Sequence, residues 1–233
     1  MHNPLVSVIL PTRNGERFLD QALDSVFRQD YAPYELLVID DHSTDRSAEM
    51  ARSRAGVRVL ANPGRGVACA WNAGIAAASG ELVAFLAQDD LWLPGKLARQ
   101  VACMSEHPDA DYSLTWSHTF LEAGDTPPVG CRTERLGRDG FALLMEALMV
   151  RRRVFDRVGG FDEALTSGHD MDWFARASDA GLVMARIEEV LVQRRIHGAN
   201  ATFNPQMAQE GNLNLLRIAR ASILRKQRRP GAR

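Results

Sequence analysis

The chain has 233 residues, of which 45% are hydrophobic and 24% charged, the balance of a globular protein with a sizeable core. A formal net charge of -1 gives no global attraction to nucleic acid. The three cysteines are too few and too far apart for a disulfide framework or a zinc knuckle. No secretion signal or bilayer-length apolar run is present, so we expect a cytoplasmic protein that does not bind nucleic acid.

The first half of the chain alternates between short apolar runs and helical stretches. The predicted strands are Leu5–Leu10, Tyr34–Asp40, Val57–Ala61 and Glu81–Ala87. The helical stretches between them are ERFLDQALDSVFRQ, STDRSAEMARSR and VACAWNAGIAAAS, and Ser43 or Thr44 is expected to be the N-cap of the second. This alternation predicts an α/β fold with a mainly parallel, Rossmann-like sheet flanked by helices. Ligands of such sheets bind beyond the carboxyl ends of the strands.

Acidic pairs follow two of these strands, and a polar turn, PTRN, follows the first. Asp40 and Asp41 end the second strand, whereas Asp89 and Asp90 follow the fourth. Adjacent carboxylates repel each other, so a protein cation or a metal is expected beside them. Asp41 and Asp90 could each instead cap the helix that follows. Because both pairs fall at the ligand-binding edge of one sheet, a functional site is the better interpretation.

A glycine-containing turn precedes the third helical stretch. Gly64, Arg65 and Gly66 begin like a dinucleotide fingerprint, but Cys69 stands where the third glycine belongs. The turn is therefore a weak signal for a nicotinamide cofactor. Its backbone N–H groups are still suited to an anion, which Arg65 would help to neutralise. The alternative is an ordinary turn with a solvated arginine.

In order along the chain, five segments resemble those of the family 2 glycosyltransferases of the GT-A fold. They are VSVILPTRNGERFLDQALDSVFRQDY, YELLVIDDHSTDRS, NAGIAAASGELVAFLAQDD, RRVFDRVGGFDEAL and HDMDWFARASDAG. The resemblance implies one GT-A domain at 1–204, with a nucleotide-sugar-binding half at 5–110 and an acceptor-binding, catalytic half at 111–204. A C-terminal helix and basic tail follow at 205–233. It also implies inverting transfer of a hexosyl or N-acetylhexosaminyl group from a nucleotide-sugar, usually UDP-linked, to an acceptor hydroxyl.

The same resemblance assigns roles at the sheet edge. Asp40 matches the acid that binds the uracil, and the Asp89–Asp90 pair matches a DxD-type element that contacts the ribose and a cation. The implied nucleotide-binding residues are Pro11, Thr12, Arg13, Asp40, Arg65 and Asp89, and the implied metal ligands are Asp89, Asp90 and His197. The cation would be Mg²⁺ or Mn²⁺, a hard ion that takes carboxylate oxygens and stabilises a diphosphate leaving group. For His197, a hydrogen-bonded structural role is the alternative.

In the second half, DYSLTWSHTFL reads as strand-like, residues 122–137 as a loop, and residues 140–165 as helical and turn patterns. The resemblance implies a further strand in VLVQRRIHGANATF. A helix is expected at HDMDWFARASDAG. Asp170 and Asp172 are two residues apart, roughly 200° around that helix, so only one of them should face the site. The resemblance makes Asp170 the general base. The alternatives are an N-cap role for Asp170 and an exposed first-turn position for Asp172.

Three departures from the family pattern, Ala87, Trp71 and His169, favour a second hypothesis. In it, the domain binds a nucleotide-sugar or a partner without turnover. A nucleotidyltransferase is a third hypothesis, but PTRNGERF is a poor match to the glycine-rich, basic loop that it needs. The acceptor class stays open among a glycan, a lipid-linked sugar, a peptide and a small molecule. The basic C-terminal segment suggests peripheral contact with an anionic membrane, with a solvated helix as the alternative.

Overall fold

One β-sheet organises the protein. The computed structural model describes residues 3–131, 133–200, 203 and 205–227. The strands are β1 (Val6–Thr12), β2 (Tyr34–Asp40), β3 (Val57–Ala61), β4 (Leu82–Phe85), β5 (Leu91–Trp92), β6 (Tyr112–Leu121), β7 (Asp139–Phe141), β8 (Leu148–Arg151) and β9 (Met184–Ile196). The helices are α1 (Leu19–Phe27), α2 (Ser47–Ser53), α3 (Val67–Ala77), α4 (Lys96–Glu106), α5 (Val154–Val158), α6 (His169–Asp179) and α7 (Pro205–Gln227).

The strand order in the described part of the chain is β3-β2-β1-β4-β8-β6-β9-β5, with β7 paired to β6. β1 is parallel to β2 and β4, β2 to β3, and β6 to β9. β8 is antiparallel to β4 on one side and to β6 on the other, so β4 and β6 run the same way. Most strands therefore share one direction, which confirms the predicted mainly parallel α/β fold.

The four strands predicted in the first half are all present. The inner residues of β1, β2 and β4 are fully buried, whereas β3, at the edge of the sheet, is only partly buried. Near-continuous apolar runs are expected where helices cover both faces of a parallel sheet. The predicted start of α2 is wrong, because that helix begins at Ser47 rather than near Ser43 or Thr44. The backbone N–H of Ser43 donates to Asp40 Oδ1 at 3.2 Å, and that of Thr44 donates to Asn14 Oδ1 at 2.8 Å. These two residues thus belong to a turn at the sheet edge.

Residues 140–165, for which the sequence predicts helical and turn patterns, also contain a strand, and the prediction is wrong there. Strand β8 lies within this segment, and Leu148, Met149 and Val150 are completely buried between β4 and β6. A short apolar run does not distinguish a buried strand from part of a buried helix. Pairing on both sides satisfies the backbone groups of β8, and that pairing depends on strands that are distant in sequence.

Lys96 is completely buried at the start of α4. Its Nζ donates to Gln100 Oε1 at 2.6 Å and lies 4.1 Å from the centre of the Trp92 ring. Gln100 Nε2 in turn donates to Ala147 O at 2.9 Å, which joins α4 to the residue before β8. Burial lowers the pKa of Lys96 to about 7, because a charged ammonium is poorly solvated there.

We expect Lys96→Met to flatten the pH dependence of stability. Between about pH 7 and pH 10.5, the unfolded chain binds a proton that the folded protein lacks, so stability rises with pH. The slope of the free energy of unfolding reaches at most ~1.4 kcal/mol per pH unit. Urea unfolding at pH 7 and pH 9 measures it. Lys226→Met, at an exposed lysine, is the control and should keep the wild-type slope. Equal slopes in wild type and Lys96→Met would contradict the expectation.

Candidate active site

A cleft of about 1210 Å³ opens at the carboxyl edge of the sheet. It brings together residues from both halves of the chain. The predicted site residues that line it are Pro11, Thr12, Arg13, Arg65, Asp89, Asp90, Asp170 and His197. Asp40 is the predicted residue that is not part of the lining, and its neighbour Asp41 lines the cleft instead. The cleft thus assembles nearly all of the predicted set.

Gln88 joins the turn after β1 to the acidic pair. Its Oε1 accepts hydrogen bonds from the Arg13 backbone N–H and the Thr12 hydroxyl, each at 2.8 Å, and its Nε2 donates to Arg13 O at 3.1 Å. A Cβ at Gly15 would lie 2.3 Å from Gln88 Oε1, so a side chain there would displace Gln88 from these hydrogen bonds. Apart from its place beside Asp89, nothing in the sequence indicates this role of Gln88.

Asp41 holds the glycine-containing turn before α3. Both of its carboxylate oxygens accept from the Gly66 backbone N–H, at 3.1 and 3.0 Å, and Asn62 Nδ2 donates to Oδ1 at 2.7 Å. Gly66 has φ +88°, a conformation that favours glycine. The alternative in which Asp41 caps the next helix is therefore wrong. Arg65 lies exposed at the rim of the cleft.

The end of β9 attaches directly to the acidic pair. The Arg195 backbone N–H donates to Asp90 Oδ1 and its Nε donates to Asp89 O, both at 2.8 Å. His197 Nε2 lies 2.9 Å from Asp89 Oδ2, and Asn200 Nδ2 donates to the same oxygen at 2.9 Å. Asp90 does not cap α4, because Gly95 occupies the N-cap and makes no side-chain capping bond. The alternative proposed for Asp90 is therefore wrong.

Three carboxylates gather beneath this attachment. Asp90 is buried, and its pKa is raised well above its usual range by burial and by repulsion from Glu146 and Asp89. The pKa of Glu146 is raised by burial, with repulsion from Asp89 and Asp170 adding to it. Sequence reasoning missed Glu146, because it lies in the segment that was read as helical and turn patterns. The cleft therefore concentrates negative charge that a bound cation would relieve.

These carboxylates fit a divalent cation only in combination with a ligand. Within the described ranges, no group of three or more His, Cys, Asp or Glu side chains is arranged to hold a metal ion. Mg²⁺ is commonly held by one or two carboxylates together with substrate phosphates and water. Asp89 and Asp90 supply hard oxygen donors of that kind. The donor set is thus suited to a metal–diphosphate complex rather than to a metal alone.

Asp170 reaches the cleft from the first turn of α6. Gly168 is the N-cap residue, with φ +77°, so the alternative in which Asp170 is the N-cap is wrong. Asp170 Oδ1 accepts from the Met171 backbone N–H at 2.8 Å. Burial raises the pKa of Asp170, since the carboxylate is partly removed from water. Asp170 is therefore more basic than an exposed aspartate.

Asp172 faces away from the cleft, as its spacing from Asp170 predicts. It is not an exposed acid, however, because only 8% of it is accessible. Arg176 Nε donates to Asp172 Oδ2 at 2.7 Å, and Arg176 Nη2 donates to Gly160 O at 2.7 Å. Asp172 therefore helps to hold the Gly-Gly-Phe-Asp turn against α6, and the exposed alternative is wrong.

Two of the departures from the family pattern are neighbours on one wall of the cleft. The Trp71 and His169 rings lie edge to face with their centres 6.3 Å apart, and Trp71 also packs 4.7 Å from Phe161. Burial lowers the pKa of His169, which favours the neutral ring. His169 is thus a packing partner of Trp71, and its neighbour Asp170 supplies a carboxylate to this wall.

Known structures show the same architecture. A mannosyltransferase from Pyrobaculum calidifontis, PcManGT, in complex with GDP-Man and Mn²⁺ superposes with a TM-score of 0.71 at 20% identity. That match covers 96% of this chain and 65% of the other. TarS 1–349 of S. aureus in complex with UDP-GlcNAc superposes with a TM-score of 0.70 at 20% identity over 91% of this chain and 65% of that one. The fold is therefore that of the GT-A glycosyltransferases.

The sequence places the chain within this class. The model of glycosyl transferase family 2 matches residues 7–158, and the chain belongs to that family. An uncharacterized glycosyltransferase of Rickettsia prowazekii is 28% identical over 215 residues, 87% of this chain and 67% of that protein. WfgD of Escherichia coli, a UDP-Glc:alpha-D-GlcNAc-diphosphoundecaprenol beta-1,3-glucosyltransferase, is 39% identical over 107 residues, 45% of this chain and 42% of WfgD. This chain thus spans about two thirds of the length of the Rickettsia relative and less than half of the length of WfgD.

Proposed function

We propose that this protein is a metal-dependent inverting glycosyltransferase with Asp170 as its general base. It moves a hexosyl or N-acetylhexosaminyl group from a nucleotide-sugar, in the first place a UDP-sugar, to an acceptor hydroxyl. The observation that carries the proposal is the convergence of the Asp89–Asp90 pair and the partly buried Asp170 on one cleft. These groups are 80 or more residues apart in the chain, and they would act on opposite sides of the anomeric carbon, Asp170 where the new bond forms and the acidic pair where the old one breaks.

The donor is proposed to bind at the carboxyl edge of β1, β2 and β4. Pro11, Thr12 and Arg13 line this part of the cleft, and Arg65 lies at its rim, where its charge would interact with the diphosphate. WfgD is named for a UDP-Glc donor, and TarS was solved with UDP-GlcNAc, which supports the choice of UDP. PcManGT was solved with GDP-Man, so the identity of the base requires measurement.

Asp89 and Asp90 are proposed to hold Mg²⁺ or Mn²⁺ once a diphosphate is present. The cation would stabilise the negative charge on the leaving diphosphate. His197 and Asn200 orient the Asp89 carboxylate through Oδ2, and the Arg195 backbone orients Asp90 through Oδ1. Both carboxylates keep a second oxygen or lone pairs for a further contact. His197 is proposed as a third ligand only if it exchanges its contact with Asp89 for the metal.

Asp170 is proposed to take the proton of the acceptor hydroxyl. As the acceptor oxygen attacks the anomeric carbon, its proton moves to the Asp170 carboxylate and the bond to the diphosphate breaks. The leaving diphosphate keeps the bonding electron pair, and attack from the opposite face inverts the anomeric centre. The hydroxyl proton becomes acidic only during the attack, so a carboxylate suffices as a base. No covalent intermediate on the protein is required.

The proposed chain organisation follows from the same arrangement. Donor contacts come mainly from residues 5–110, and the base comes from residues 111–204. The acidic pair is nevertheless held by Arg195, His197 and Asn200, so the second half also shapes the donor side. We place the enzyme in the cytoplasm, at a membrane surface if its acceptor is lipid-linked, like the diphosphoundecaprenol-linked acceptor for which WfgD is named.

A domain that binds a nucleotide-sugar without turnover is the second candidate, favoured by Trp71 and His169 beside Asp170. Hydrolysis of UDP-sugars by the purified protein with Mg²⁺ or Mn²⁺ tests the two against each other. The proposed enzyme should release UDP above the buffer rate, and should release it faster when an acceptor is present to take the sugar. Tight metal-dependent binding of UDP without release of UDP from any donor would support the binding domain instead.

We expect Asp40→Ala to weaken UDP binding without changing its dependence on metal. The proposed partner of Asp40 is the uracil, and losing a charge-assisted hydrogen bond costs about 1.5–3 kcal/mol. Calorimetry with UDP, with and without Mn²⁺, gives both quantities. Asp41→Asn is the matched comparison, because Asp41 holds Gly66 rather than the base. If the Asp40 variant binds UDP as the wild type does, base recognition belongs to another residue.

A further inference from the structure

Helix α7 packs on α6 through a face that is largely polar. Asn214 Nδ2 donates at 3.1 Å to the backbone carbonyl oxygen of a residue just before α6. Ser222 Oγ and Arg225 Nε each donate to the Asp179 carboxylate at 2.8 Å. Among the described side chains of α7, Ile218 is the large apolar one that is buried. The helix is thus attached mainly by hydrogen bonds and an ion pair.

The opposite face of α7 is apolar and exposed. Its apolar stripe consists of Leu213, Leu216, Ile223 and Leu224. Leu216 is 71% accessible, Ile223 57% and Leu213 54%. At 3.6 residues per turn these side chains fall within an arc of roughly 100°. An amphipathic helix normally buries its apolar face, so this reversed arrangement marks the stripe as an interaction surface.

The charge of this segment specifies what would cover the stripe. Residues 205–233 contain a single acid, Glu210, and seven arginine or lysine residues, although the whole chain has a net charge of -1. Arg217 and Arg220 are exposed and lie within or beside the arc of the apolar stripe. A basic helix with an exposed apolar face is suited to the boundary between anionic headgroups and acyl chains. Its arginines reach the headgroups while their stems contact apolar surface.

We propose that α7 docks the protein on an anionic membrane, with the apolar stripe inserted and Arg217 and Arg220 contacting the headgroups. The contact is peripheral in kind, and among the described residues no helix has the length and apolar character needed to cross a bilayer. Glu210, near the start of α7, lines the cleft. The cleft would therefore open close to the lipid surface, a consequence that rests on the proposed function and suits a lipid-linked acceptor.

Co-sedimentation of the full chain with lipid vesicles tests the proposal. Vesicles of phosphatidylcholine alone are compared with vesicles of phosphatidylcholine and phosphatidylglycerol at about two to one. We expect binding to the anionic vesicles, much weaker binding to the neutral ones, and loss of binding as salt is raised. Leu216→Asp combined with Ile223→Asp should lower the partition coefficient about tenfold or more, because two apolar insertions are lost. Arg217→Gln combined with Arg220→Gln should lower it by a similar factor.

Val129→Asp is the matched control, since Val129 is an exposed apolar residue outside α7, and it should bind vesicles as the wild type does. UDP binding is measured on every variant, so that a failure of lipid docking is distinguished from a failure of the donor site. Equal binding of wild type to both vesicle types, or wild-type partition of the Leu216 and Ile223 variant, overturns the proposal. A dimer in sedimentation velocity that Leu216→Asp dissociates, with no vesicle binding, also overturns it and makes a second copy the occupant.

Discussion

Asp170→Asn is expected to lower the rate of sugar transfer by about 10²–10⁴-fold and to leave the affinity for UDP unchanged. A general base acts on the acceptor proton only in the transition state, so its loss lowers kcat while donor contacts persist. The substitution keeps the shape of the side chain and an oxygen that accepts the Met171 N–H. Steady-state transfer rates and UDP calorimetry on the same preparation separate the two effects.

Asp172→Asn is the matched control for this substitution. It weakens the ion pair with Arg176, so we expect a lower unfolding temperature but a nearly normal rate per folded molecule. The pH profile gives a second readout. Because burial raises the pKa of Asp170, the rate should fall with decreasing pH at values above the ordinary range of an aspartate, about 3.9. That acid limb should disappear in Asp170→Asn. A near-normal transfer rate in the Asp170→Asn variant would show that Asp170 is not the general base.

The double substitution Asp89→Asn and Asp90→Asn is expected to abolish the effect of Mn²⁺ or Mg²⁺ on UDP affinity. In the wild type, UDP should bind far more tightly with metal than with a chelator, because Asp89 and Asp90 are proposed to hold a cation that would also bind the diphosphate. Calorimetric titrations of UDP with metal and with chelator measure this difference. Asp30→Asn, at an exposed acid, serves as the control and should keep the full metal effect.

Thermal unfolding without metal tests the same substitution independently. Asn at position 90 retains an oxygen for the Arg195 N–H and removes the repulsion between Asp90 and Glu146. The metal-free variant should therefore unfold at a temperature no lower than that of the wild type. UDP affinity that is equal with and without metal in the wild type would exclude the cation from the donor site.

Much of the fold was predictable because it depends on local patterns. The strands and helices of the first half follow from continuous apolar runs alternating with helical periodicity, and the carboxyl edge follows from the parallel order. Because both acidic pairs directly follow strands, their position at this edge was predictable too. Strand β8 was not predictable, because its short apolar run has no period of its own and becomes a strand only between β4 and β6.

The residues of the candidate site also fall into two groups, those that could be predicted from the sequence and those that only the tertiary structure brings together. The sequence by itself determined the acidic pair, the Asp170–Asp172 spacing that turns one carboxylate toward the cleft, and the family. Only the tertiary structure decided that Glu146 joins the acidic pair and that Asp41 holds Gly66. Arg195 and Asp90 are 105 residues apart in the chain. Contacts at such separations leave no periodic signal in the sequence, because they depend on how the sheet brings distant strand ends together.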